Sequence, residues 1–291
     1  MKRREFVGLI GGALAAPAYR RRDDVFVERW SWAMGQAVHV MVFAPSEQEG
    51  LDACAAALAE LRRVESRLSL FDDASDLCEL NRHAGRGPMH VDRDLGAVLQ
   101  RAVAFRELTG GAFDAAVGPL MRAWGLGTPT PGELAAAREA VATAEVRLDG
   151  PAARLPNAHT RLDFGGIGVG YGIDRAVAVF QARGIRRAFV DVSGDCAAVG
   201  APPGQAGWLV GIADPDRGGA TVAAVRLRDA ALATSANTVR RHVMDPRTGR
   251  PADALRQASV VARGATAADA LSTAMFVSGR RPPGVLWAYG V

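Results

Sequence analysis

The sequence predicts an α+β fold, with mixed or antiparallel sheets and packed helices. Three observations carry this. Helical periodicity is concentrated in the first half, and short β-type segments fill most of the second. No regular strand–helix alternation runs through the chain, so a doubly wound parallel sheet is not expected. With 291 residues, the chain can bury a sizeable core as one large domain or two closely joined ones.

Taken in order, residues 36–43 alternate as a strand. Leu51, Cys54, Leu58, Leu61 and Leu68 then recur at helical spacing and place a helix over about 47–68. A second helix runs from Asp94, a candidate N-cap, to Leu108, where Thr109-Gly110-Gly111 stops it. Residues 128–132 read as a loop and 133–144 as a short helix. Strands are expected at 146–148, 161–164, 188–192, 208–213, 221–227, 232–234 and 257–262. Helices over 171–183, with Ile173, Val177 and Phe180 on one side, and over 267–278 complete the set.

Composition narrows the function. The chain is 49% hydrophobic and 23% charged, with a net charge of +4. Lys2 is its one lysine, and arginines alternate closely with acids, as in Glu60-Leu-Arg-Arg-Val-Glu65. Like-charge blocks are short and few aromatics are interleaved with them, which argues against a nucleic-acid partner. Arg3-Arg4-Glu5-Phe6, an apolar run over 7–16 and Ala16-Pro17-Ala18 read as a twin-arginine-type signal peptide over residues 1–18. Residues 19–291 would then be one exported domain in the periplasm, without a lipid anchor because the leader has no cysteine. The apolar run is too short to cross a membrane, and no later stretch qualifies. Cys54, Cys78 and Cys196 match no zinc spacing, and buried free thiols are the default expectation.

Four phrases carry chemistry. In Leu162-Asp-Phe-Gly-Gly-Ile-Gly-Val-Gly-Tyr171 the glycines let backbone approach a ligand closely, and helix-start amides favour anions. Their spacing is not the dinucleotide fingerprint, and a plain tight turn explains them equally well. Asp269 and Thr273 lie four apart, so both oxygens leave one helix face as hard ligands suited to magnesium. Helix capping through Thr266 and Asp269 is the rival reading. His242-Val-Met-Asp-Pro-Arg-Thr-Gly249 is either a proline turn or a loop presenting a general base. Gly110-Gly-Ala-Phe-Asp114 suits packing and a ligand wall about equally.

Together these phrases resemble the ApbE family, the FAD:protein FMN transferases, over most of residues 31–280. The resemblance implies an ApbE-like, T-fold-like architecture. It also implies magnesium-dependent transfer of FMN from FAD to a threonine of a periplasmic or membrane redox protein, releasing AMP. Acceptors of the family are subunits of the sodium-pumping quinone reductase, Rnf and nitrous-oxide reduction type. By the same resemblance His242 is the candidate catalytic base, and Gly168 (through its carbonyl), Asp269 and Thr273 hold the metal. Met34, Phe71, Asn81, Ala112, Phe113, Asp114, Gly166, Asp174 and Thr234 are matched to FAD binding, with Asp174 at the adenosine end. Val169 stands where the family usually has lysine, Ser193 where a glycine is common, and Thr234-Ser-Ala-Asn237 where Thr-Ser-Gly-Asp is usual. These departures leave two alternatives: an FAD-binding maturation accessory without transfer, and an FAD hydrolase giving FMN and AMP.

Overall fold

The computed structural model describes residues 24–125, 127–237 and 242–291; the expected leader over 1–18 lies outside them. β1 (Val25–Ala33) and β2 (Gln36–Ala44) form a hairpin closed by Met34-Gly35, with φ of 57° and 68°. Two successive positive φ values give the turn whose twist matches right-handed strands, which is why glycine occupies its second position. β2 pairs with β6 (Ala188–Val192), which continues through β7 (Asp195–Val199), β10 (Ala230–Ala236) and β13 (Gln257–Ala262) to β14 (Trp287–Gly290). Each pairing in this seven-stranded sheet is antiparallel.

The period of two divides the sheet into faces. Val38, Val40 and Val42 of β2 join one core with Ala197, Val199, Ala231 and Ala233, while Met41, Phe189, Cys196, Ala198 and Leu232 join another. The first face is covered by α1 (Glu47–Leu68), α6 (Gly168–Ala182) and α7 (Ala265–Ser278). The second packs on a separate hairpin, β8 (Trp208–Ala213) with β9 (Thr221–Leu227), through Trp208, Ile212 and Leu227.

The remaining elements build a helical lobe: α2 (Asp76–His83), α3 (Arg93–Leu108), α4 (Gly118–Gly125) and α5 (Pro131–Ala142). Two small sheets accompany it, one of β3 (Met89–His90), β5 (Ala152–Arg154) and β4 (Arg147–Asp149), the other of β11 (Met244–Asp245) and β12 (Arg250–Pro251). α7 belongs to both cores, giving Ala265 and Ala268 to the sheet side and Leu271, Ala274 and Phe276 to the lobe. Its hydrophobicity all round suits a buried helix, so the polar residues it carries into the interior call for a reason.

The α+β reading holds, and α1 and β13 occupy the predicted spans. Residues 161–164 are not a strand. The amide of Leu162 goes to Asn81 Oδ1 and that of Asp163 to the Ala115 carbonyl, so neither enters a ladder. Asp94 is not the cap of α3: Asp92 accepts from the Asp94 and Leu95 amides. Asp94 is instead buried, meeting Arg63 at 2.5 Å and the Tyr171 hydroxyl at 2.7 Å. β1, α2 and α4 were not expected. The three cysteines are free and buried.

Candidate active site

The site begins where α6 crosses α7. A Cβ on Gly170 would overlap the Ala265 carbonyl and lie 2.8 Å from Asp269 Cβ, so only glycine lets the helices meet this closely. The Gly170 amide, one of the first-turn donors without an intrahelical partner, bonds Asp269 Oδ2 at 2.9 Å. Asp174 completes the seam. Its carboxylate accepts from the Ala265 amide at 2.7 Å, the Thr266 amide at 3.0 Å and the Thr266 hydroxyl, capping α7 from another helix. A cap of this kind is worth about 1 kcal/mol. It displaces the rival reading of Thr266 and Asp269, because the α7 N-cap is Gly264, without a side-chain cap bond.

Asp269 is buried, and burial pushes its carboxyl well above the usual range; the Asp195 charge pushes the same way, and the Gly170 amide opposes both. Asp195, at the start of β7, is likewise raised by burial, then by Asp191, to about 7, against the Thr234 amide that bonds it at 2.9 Å. Thr273 Oγ1 lies 3.3 Å from Ser235 Oγ, which also meets Ser272 Oγ at 2.8 Å. A Cβ on Gly166 would sit 2.7 Å from Thr273 Oγ1, so the glycine-rich segment lies directly against this hydroxyl.

This donor set fits a hard divalent cation. Two interior carboxylates that repel one another, together with a hydroxyl, offer oxygen only and gain from a positive charge between them. Among the described residues no group of three or more His, Cys, Asp or Glu is poised around a metal.

His242 lies on the far side of the same glycine-rich segment. Asp163 feels the His242 charge, which together with the Gly165 amide at 2.7 Å opposes the upward push of burial on its carboxyl. The segment carrying Asp163, Gly165 and Gly166 thus lies within the field of His242 at one end and against Thr273 at the other. The histidine opens on a cavity of about 960 Å³ lined by Phe71, Met121, Trp124, Met244, Arg250 and Val277, among others. That size suits a large ligand, and Val277 lies one turn beyond Thr273 on the same face of α7. The cavity wall is locked: Trp124 Nε1 donates to the Gly249 carbonyl at 2.9 Å, and Asp245 accepts from the Arg247 amide and guanidinium.

The family model matching this chain is that of the ApbE family, over residues 34–284. The chain belongs to the ApbE family. It is 33% identical over 308 residues to the FAD:protein FMN transferase of Treponema pallidum, covering 94% of this chain and 82% of that protein. With the FAD:protein FMN transferase of Vibrio cholerae it shares 28% identity, over 75% of this chain and 71% of that one. The crystal structure of the ApbE protein from Thermotoga maritima superposes with a TM-score of 0.78 at 31% identity, covering 87% of each chain.

Within this ApbE chain the expected residues fall into four groups. His242 and Phe71 border the cavity, and Asp269, Thr273 and Gly166 form the oxygen cluster, with Gly168 opening α6 two residues before Gly170. Asn81, Asp174 and Thr234 have their side chains committed to the scaffold. Asn81 clamps Leu162 through both its amide atoms at 2.9 and 2.7 Å, and Thr234 Oγ1 meets Ser259 Oγ at 2.8 Å. Ala112, Phe113, Asp114 and Met34 do not line the cavity. Phe113 packs edge-on to Phe105, Asp114 pairs with Arg106 at 2.7 Å and caps the turn before α4, and Met34 lies against Gly172. Asp163, Asp195 and Ser235 were not singled out for the site. Asp163 and Ser235 lie inside quoted phrases and Asp195 two residues after Ser193, and only the fold shows which way each faces.

Proposed function

We propose that this chain transfers the FMN moiety of FAD to a threonine hydroxyl of another protein, with magnesium held by Asp269, Thr273 and the Gly168 carbonyl. The observation that carries it is one glycine-rich segment that lies against the Thr273 hydroxyl at Gly166 and, at Asp163, within the field of His242, which stands at the wall of a ligand-sized cavity. Phe71, Trp124, Met121 and Met244 offer apolar and aromatic surface for a flavin ring system. His242 takes the proton of the acceptor hydroxyl as its oxygen bonds to the FMN phosphorus, and the bond from that phosphorus to the bridging oxygen breaks, releasing AMP. Bound magnesium neutralises the diphosphate and the departing phosphate. The family names carried by the relatives support flavin transfer; the threonine, the metal and a periplasmic or membrane redox acceptor are this proposal's own.

Incubating the protein with FAD, magnesium and a threonine-bearing acceptor domain should yield a covalently fluorescent acceptor. His242→Ala should lower the rate about a hundredfold or more while FAD still binds. One observation favours the accessory reading: Val169 packs toward the sheet-side core and brings no charge to the first turn of α6. FAD binding without acceptor labelling or AMP release would establish that reading instead.

A further inference from the structure

Asn237 follows the last residue of β10, and His242 comes after the four residues 238–241, which lie outside the described residues. The amide of Asn237 makes four hydrogen bonds, all to backbone. Its Oδ1 accepts from the His242 amide at 3.1 Å and the Val243 amide at 3.0 Å. Its Nδ2 donates to the Val243 carbonyl at 3.4 Å and the Ala252 carbonyl at 3.1 Å. The Val243 carbonyl also receives the Ala252 amide at 2.8 Å, so one side chain ties the end of β10 to both strands of the β11–β12 hairpin. That hairpin supplies Met244, Asp245, Arg250 and Pro251 to the cavity wall.

We infer that Asn237 is a positioning residue for His242, acting through the acceptor oxygen that holds the His242 and Val243 amides. The inference rests on His242 acting as the base proposed above. Asn237 borders a smaller cavity of about 330 Å³ beside Asp253 and Arg256, yet both donors and both acceptor sites of its amide are already used. It has nothing left to offer a substrate, so its effect passes through what it holds. A carboxylate, usual at this position in the family, would keep the bonds to the two amides and lose those to the two carbonyls; alanine would release all four groups. With the His242 amide fixed, the imidazole moves only about its own side-chain bonds, and a displacement of about 1 Å at a reacting group costs on the order of a hundredfold in rate.

The test uses the full chain with two readouts. In the NMR spectrum of ring-labelled protein, the imidazole signal of His242, assigned by its loss in His242→Ala, should shift or broaden in Asn237→Ala. The other four of the five histidines should stay in place. In AMP release from FAD with magnesium and a threonine-bearing acceptor domain, Asn237→Ala should lower kcat about tenfold or more, and more than it raises KM for FAD, while Asn237→Asp, which keeps both amides bonded, should lose less. In a His242→Ala background the Asn237→Ala change should alter the rate by less than about twofold, because the group it positions is gone. An unmoved His242 signal in Asn237→Ala, or an equal loss of rate in both backgrounds, overturns the inference. Should His242→Ala retain the full rate, the base assignment fails, and the NMR arm alone decides whether Asn237 positions His242.

Discussion

Asp195 makes the apoprotein's stability depend on pH in an unusual direction. Its carboxyl is raised from 3.8 to about 7 in the fold, with burial first and Asp191 second as causes. Between those values the folded protein holds a proton that the unfolded chain has lost. Stability is therefore fully present below about pH 4 and falls as pH rises toward 7, by about 1.4 kcal/mol per unit for this group. From about pH 5 to pH 7 the loss is about 2 kcal/mol, since the slope halves as pH reaches the folded value. Asp195→Asn keeps an oxygen for the Thr234 amide and removes the ionisation. Urea denaturation with EDTA at several pH values should show the variant gaining about 2 kcal/mol on the wild type across that window. Saturating magnesium should flatten the wild-type slope, because a cation binds the carboxylates that have lost their protons. Parallel stability curves for the two proteins, or a wild type that gains on the variant as pH rises, would refute this account of the buried carboxylates.

Three further outcomes follow from the geometry. Asp269→Ala should abolish acceptor labelling with the fold retained by circular dichroism, whereas Thr273→Val, which removes a neutral oxygen, should lose less. Gly170→Ala places a Cβ against the Ala265 carbonyl and should destabilise by about 3 kcal/mol or more, read by thermal denaturation. Phe71, fully exposed at the cavity rim, should cost nothing in stability when changed to alanine. In kinetics the same change should raise KM for FAD about two- to tenfold with kcat little altered, if the ring stacks on the flavin.

Elements were legible in the sequence where one periodicity ruled. The apolar stripe of α1 stays continuous as it passes from the sheet-side core at Leu61 to the lobe at Val64 and Leu68, so its ends could be read from spacing. β1 was hidden because Phe26, Trp30 and Trp32 are exposed on one face while Val27 and Ala33 are buried on the other, leaving no clean alternation of polar and apolar. Residues 161–164 looked like a strand by composition, but Asn81, 81 positions earlier, takes both backbone groups of Leu162. Asp174 was matched to FAD by resemblance, and its capping of α7 escaped the sequence because that helix end begins 91 residues later. Side chains that act through distant backbone leave no spacing signal. Asp269 and Thr273 drew attention through a local spacing of four and His242 through its phrase, both read with the resemblance; Asp195 and Asp163 became visible only with the strands and turns that face them.

The bond from the Gly170 amide to Asp269 also bears on which ion the site prefers. With Oδ2 accepting that amide, Asp269 would meet a bound cation chiefly through Oδ1. Calcium gathers six to eight oxygens, often with both arms of a carboxylate, and would lose part of that shell here. A smaller octahedral ion that keeps its own waters gives up nothing. Selection against calcium would thus be written into the place where two helices touch, and a side chain at position 170 that broke this contact would free the second oxygen and relax the preference.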